Sequence, residues 1–186
     1  MAEWESRKAF LDRSGVAARV PSAKSPMVKS IGAPGLSRTV GWKGQSDRMS
    51  VTYRNFEAEH IDRVLELWSR SEGIDLGSDS PASLEHFLER NPALSWVAVR
   101  GDLLVGAALC GHDGRRGYIH HLAVDSSERR AGIGHALVER CLSGLQGAGI
   151  GKCHIFVFRS NRFGELFWGP TGWERRDDVQ MFSHFL

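Results

Sequence analysis

From Val51 onward the apolar residues fall into short blocks whose period changes from one block to the next. Val51 to Phe56 reads as a first strand. Ile61, Val64, Leu65 and Trp68 then recur at helical spacing and define one buried stripe. After the polar loop Gly73 to Asp79, Ser80 and Pro81 have the chemistry of an N-cap and a first helical residue. Leu84, Phe87 and Leu88 form the stripe of that second helix, and Pro92 stops it. Leu94 to Arg100 and Leu103 to Cys110 are apolar strands joined at Gly101-Asp102, a hairpin signal, and Gly106 marks a bulge or a close approach. Tyr118 to Val124 is the next strand. A longer helix follows, carrying Ile133, Leu137, Val138, Cys141, Leu142 and Leu145 and ending at Gly147-Ala148-Gly149. Cys153 to Phe158 reads as a buried strand, Asn161 to Trp168 as a short helix, and Gly172 to Phe185 as a final strand region.

Residues 1–48 lack such a pattern. Pro21, Pro26 and Pro34 recur among Ser, Gly, Lys and Arg, which leaves little apolar surface to offset the entropy of ordering. Residues 13–48 hold seven Lys/Arg and one acid, Asp47, so the formal charge of +2 and the basic pI belong to this stretch and the remainder is mildly acidic. The expected division is a basic, disordered extension over 1–48 and one folded domain over 49–186. A start at Met49 and a targeting segment remain open beside it. An acidic body argues on charge grounds against nucleic-acid binding by the domain. No apolar run reaches the roughly 18 residues of a membrane span. Cys110, Cys141 and Cys153 lie inside apolar segments, without metal-ligand spacing, as reduced thiols of a cytoplasmic protein would. The eight histidines lack the paired helical spacing of a metalloprotease, so no metal is expected.

The candidate chemistry lies between the Tyr118 strand and the helix after it. There Arg129-Arg130-Ala131-Gly132-Ile133-Gly134-His135 brings backbone N–H groups to a helix N-terminus, with two glycines that let a ligand approach the main chain. This junction suits an anion, phosphates best. A dinucleotide fingerprint would need Gly or Ala at position 137, where Leu stands, and no lysine follows as in a P-loop.

The pattern Arg-x-x-Gly-x-Gly at Arg129, Gly132 and Gly134, directly after Leu122-Ala123-Val124, strongly resembles the coenzyme A-binding motif of the GNAT superfamily of N-acetyltransferases. The element order along 49–186 resembles that fold too: α/β, with a central mixed, mostly antiparallel sheet of six to seven strands flanked by about four helices. The resemblance implies an acetyl-CoA-dependent N-acetyltransferase acting by direct attack of a primary amine of a small molecule, peptide or protein, with acetyl-CoA as co-substrate. It implies that the backbones of Leu122, Ala123 and Val124 pair with the pantetheine arm, and that residues Arg130 to His135 cradle the pyrophosphate. It also implies that Arg129 braces the loop or meets a phosphate, and that Asn161 lies beside the pantetheine. Strict alternation would put Tyr118, His120, Leu122 and Val124 on one strand face and His121 on the other, making His120 the candidate base and His121 a packing residue. Asp75, Asp79 and Glu85 are carboxylates within the acceptor-side segments. One position departs from the family pattern: Trp168 stands where a tyrosine often returns a proton to the thiolate, and an indole N–H cannot do so. A non-catalytic acyl-CoA-binding module is therefore the alternative, and a homodimer stays open.

Overall fold

The computed structural model describes residues 50–184; the expected division at residue 48 lies outside them. Five strands, β1 (Val51–Asn55), β2 (Trp96–Arg100), β3 (Leu103–His112), β4 (Gly117–Val124) and β5 (Cys153–Ile155), form one sheet in sequence order. The first three pairings are antiparallel and β4·β5 is parallel. Helices α1 (Ile61–Ser69), α2 (Pro81–Arg90), α3 (Ile133–Gly147) and α4 (Arg162–Trp168) flank it.

Two apolar layers sandwich the sheet, as strands buried on both faces require. On one face Ala98, Ala108, Cys110 and Ile119 pack with Ile133, Leu137, Cys141 and Leu145 of α3. On the other Val97, Val99, Ala107, Leu109 and Ala123 pack with Val64, Leu67 and Trp68 of α1 and Leu84 of α2. Helix α2 begins as its sequence predicts: Ser80 Oγ accepts from Ser83 N–H at 3.1 Å, Ser83 Oγ accepts from Ser80 N–H at 2.8 Å, and Pro81 follows.

Gly106 plays both roles its position suggested. The register of β3 against β2 slips between Leu104 and Gly106, an irregularity of the bulge type. A Cβ on Gly106 would lie 3.1 Å from a methyl of Ile133 and about as close to Leu137, so α3 sits directly on its backbone.

Two elements differ from expectation. Strand β5 stops at Ile155, whose partner Ile119 is the last residue of β4 in this ladder. The region after Gly172 is not a strand up to residue 184, so the sheet has five strands rather than six or seven. Its charged run pairs locally: Arg175 Nε donates to Asp177 at 2.9 Å and Arg176 Nε to Asp178 at 2.6 Å. Phe156, Phe158, Met181 and Phe182 remain exposed. Among the described residues no helix is long and apolar enough to cross a membrane, and no group of three His, Cys, Asp or Glu could hold a metal ion.

Candidate active site

One register slip builds the cleft. Opposite β3, Leu109 pairs with His121 and Cys110 with Ile119, so His120 is the extra residue of a β-bulge. A bulge inverts the alternation that follows it. Ile119 therefore packs toward α3, whereas Ala123, four residues on, packs toward α1 and α2, and Leu122 and Val124 pack toward α3. The expectation that His120 shares a face with Leu122 and Val124 is corrected. His120 and His121 both reach the α1–α2 side: His120 meets Phe87 of α2 edge-on at 5.3 Å, and His121 meets Trp68 of α1 at 4.8 Å.

The bulge also frees an edge. Strand β5 pairs only with Gly117 to Ile119. Asp125 N–H donates to Val105 O at 2.9 Å, which assigns the Ala107–Ala123 pair to the hydrogen-bonded type. The backbone groups of Leu122 and Val124 then face the opposite edge, where β5 has already diverged. Consistently, Val124 O accepts from Arg129 Nε at 3.3 Å.

That edge leads into the loop before α3. Arg100 grips Glu128 through two bonds of 3.0 and 2.8 Å, holding the turn Ser126–Glu128 against β2. Asp125 accepts from Ser127 N–H at 3.0 Å and from Arg70 at 3.0 Å; the Ser127 bonds chiefly hold its carboxyl below the usual carboxylate range. Arg130 then sits at φ 64° and Gly132 at φ 80°. Both are left-handed, a conformation rare for a long side chain such as that of Arg130. A Cβ on Gly132 would meet nothing within 4 Å, and no side chain caps α3. Its first-turn N–H groups, with the positive end of the helix dipole, are left open toward the cleft. These features fit a pyrophosphate. Arg129 is braced, on Val124 O and over the Phe163 ring at 5.6 Å.

The cleft, of about 480 Å³, is lined by His120 to Val124, Arg129, Arg130, Gly132 to His135, Asn161 and Trp168, with Gly73 and Ile74 from the loop after α1. Ala131, named with the loop, is not part of this lining. Asn161 caps α4, its Oδ1 accepting from Gly164 N–H at 2.8 Å, and its Nδ2 lies against Gly73, where a Cβ would come within 1.9 Å. Trp168 is 9% exposed, wedged edge-on against Phe167 and Trp173, each at 4.8 Å. It forms wall, not a proton donor.

Sequence reasoning missed one polar contact at the cleft. His121 Nε2 lies 2.9 Å from Asp79 Oδ2, the two side chains only 15% and 16% exposed. In the sequence Asp79 is one of three carboxylates on the acceptor side; none of them lines the cleft itself, Asp75 accepting from Gly77 N–H at 2.9 Å, and Asp79 reaches it only through His121. His120 is solvent-exposed as a residue, yet its ring stands against Phe87 and Tyr118. That desolvation first, and the neighbouring His121 second, push it below the ordinary histidine value, against the pull of Asp79. The thiols are not poised as nucleophiles. Cys110 is pushed up by its hydrogen bond with Cys141 and by burial, and Cys153 is pushed up to about 12 by burial.

A strand edge opened by a bulge thus continues into an uncapped, glycine-relieved helix N-terminus, a junction suited to an extended, phosphate-bearing ligand. Residues 61–167 match the family model described as Acetyltransferase (GNAT) family, and the chain belongs to that family. It is 32% identical over 108 residues to Acetyltransferase plu1384 of Photorhabdus laumondii, covering 58% of this chain and 76% of that one. Among solved structures it resembles PaiA N-acetyltransferase from Thermoplasma acidophilum in complex with coenzyme A, with a TM-score of 0.62 at 19% identity over 70% of this chain and 94% of that chain. Ard1 from Thermoplasma volcanium gives a TM-score of 0.59 at 22% identity over 66% and 81% of the two chains.

Proposed function

We propose that the protein transfers the acetyl group of acetyl-CoA directly to a primary amine of a small molecule, peptide or protein. The observation that carries this reading is the continuity of the free Leu122–Val124 edge with the N-terminus of α3 inside one cleft. The N–H groups of Arg130 to His135 hold the pyrophosphate, and the freed edge of β4 pairs with the pantetheine amides as an added strand would. Asn161 and Trp168 form the opposite wall. The backbone N–H of Val124 is the donor for the oxyanion that develops on the thioester carbonyl.

Attack needs a neutral amine. A lysine-like ammonium sits about 3.4 units above pH 7, a cost of roughly 4–5 kcal/mol. One of the two imidazoles at the bulge, His120 or His121, receives that proton; both line the cleft. No enzyme nucleophile is required, and the raised cysteine thiols agree.

Trp168 in the tyrosine position favours a second reading, a module that binds acyl-CoA without turnover. Thiol release from acetyl-CoA separates the two. The panel is an alanine-first peptide, a lysine peptide, spermidine, benzylamine and an aminoglycoside. Acetyltransfer predicts that at least one amine accelerates release. Binding of acetyl-CoA by calorimetry with no acceleration by any amine leaves the binding module.

A further inference from the structure

The contact between His121 and Asp79 joins two segments 42 residues apart in sequence, and nothing in the element pattern requires it. Asp79 is held from behind. Its N–H donates to Leu76 O at 3.0 Å, and the next residue, Ser80, is the N-cap of α2. His121 is held from the side by the ring of Trp68, a residue 1% exposed. A carboxylate only accepts, so Nε2 of His121 carries the proton in this contact and the neutral tautomer presents a bare Nδ1. Among the described residues that Nδ1 makes no hydrogen bond, and His121 lines the cleft one residue before the freed Leu122–Val124 edge.

This is the arrangement of a base whose tautomer and orientation are set by a carboxylate on its far nitrogen. We propose that His121 is the general base for the acceptor amine and that Asp79 is its positioning residue, an assignment that rests on the acetyltransfer reading above. The ammonium proton passes to Nδ1, giving an imidazolium beside the Asp79 carboxylate. The amine lone pair forms the C–N bond while the carbonyl π pair moves to oxygen. Collapse breaks C–S; the remaining extra N–H proton of the adduct passes through solvent to the departing thiolate and the imidazolium releases its proton to solvent, so ammonium and acetyl-CoA become amide, coenzyme A and one proton. The charged and titratable groups facing His121 are Asp79 from the loop before α2 and His120 beside it on β4; Glu72, after α1, lies on the same cleft wall.

A strut that merely ties the α2 loop to the sheet would also explain the contact, so the test must separate base from strut. The probes are ethylamine, 2-fluoroethylamine and 2,2,2-trifluoroethylamine, whose ammonium acidity rises while size changes little, together with the best acceptor of the amine panel. At pH 7, His121→Gln is expected to lower kcat/KM about 100-fold for the most basic amine. The loss shrinks at least tenfold along the series, because an amine already neutral needs no base. Asp79→Asn follows the same gradient with a smaller loss. The acetyl-CoA dissociation constant of both variants stays within about twofold of wild type, which controls for folding. Nitrogen-15 NMR of the histidine-labelled protein should show His121 as the Nε2–H tautomer, perturbed by Asp79→Asn.

A loss that is uniform along the series, a graded loss that appears in His120→Gln instead, or an Nδ1–H tautomer at His121 overturns the assignment. Wild-type turnover in His121→Gln overturns the base alone. Absence of turnover by the wild type with every amine overturns the acetyltransfer reading with it.

Discussion

Phe167 lies against Gly134: a Cβ added to that glycine would stand 3.1 Å from Cε2 of the ring. The second glycine of the motif therefore serves packing between α3 and α4, besides the ligand approach proposed for it. Phe167 is also packed on His135 at 4.7 Å, so a large residue at 134 pushes the short helix off its seat. Gly134→Leu is expected to lose about 1–3 kcal/mol of stability together with coenzyme binding, and so confounds the two.

Gly132→Ala isolates the ligand. Its Cβ meets no protein atom, and the backbone there is left-handed. Holding a non-glycine residue in that conformation costs about 1–2 kcal/mol. The expected result is a folded protein whose dissociation constant for coenzyme A rises at least tenfold in calorimetry. An unchanged constant would show that nothing approaches the loop backbone there.

Arg130 holds a left-handed conformation without being glycine. Replacing it with Gly removes about 1–2 kcal/mol of strain and returns somewhat less through the freer unfolded chain, for a net gain of up to about 1 kcal/mol. Chemical denaturation checks the gain. Affinity for coenzyme A should fall in the same variant, because the loop loses a cation and its preset shape.

Ser80→Ala removes the side-chain oxygen that accepts from Ser83 N–H at 3.1 Å. Loss of this cap costs about 1 kcal/mol. Since Asp79 immediately precedes the cap, turnover should fall more than affinity for acetyl-CoA; an equal fall in both would show that the cap acts on the whole domain.

Acid should weaken the fold in two stages. His120 binds its proton less tightly in the folded protein than its ordinary value of 6.5 implies. Below that value the unfolded chain carries more protons, so stability falls with pH. The carboxyls of Asp125 and of Asp178, the latter lowered to about 2 by Arg176, add a further fall below the normal carboxylate value of 3.8. Urea denaturation from pH 7 to pH 5 measures the first stage, which His120→Gln should reduce, His154, lowered by burial and its basic neighbours, contributing to the remainder.

The periodicity of the chain was enough to place four helices and five strands within a few residues, because each buries a stripe whose spacing is local. The cap Ser80-Pro81, the hairpin at Gly101-Asp102 and the glycine loop before α3, on which the proposed donor site rests, are equally local. The expected last strand failed where pairing was needed: Gly172 to His184 has apolar residues, but no neighbouring strand takes them up, and Arg175 and Arg176 pair with acids two residues away.

What the sequence by itself determined is therefore the layered α/β frame and the glycine-relieved turn before α3, both properties of consecutive residues. What only the tertiary structure decided is which histidine meets which partner. One extra residue at His120 reverses the facing of everything after it, and a period-two count cannot register a single-residue slip that arises from pairing with β3. Asp79 comes to His121 across 42 residues because α1 and α2 pack on that face of the sheet, and such a contact has no sequence spacing of its own.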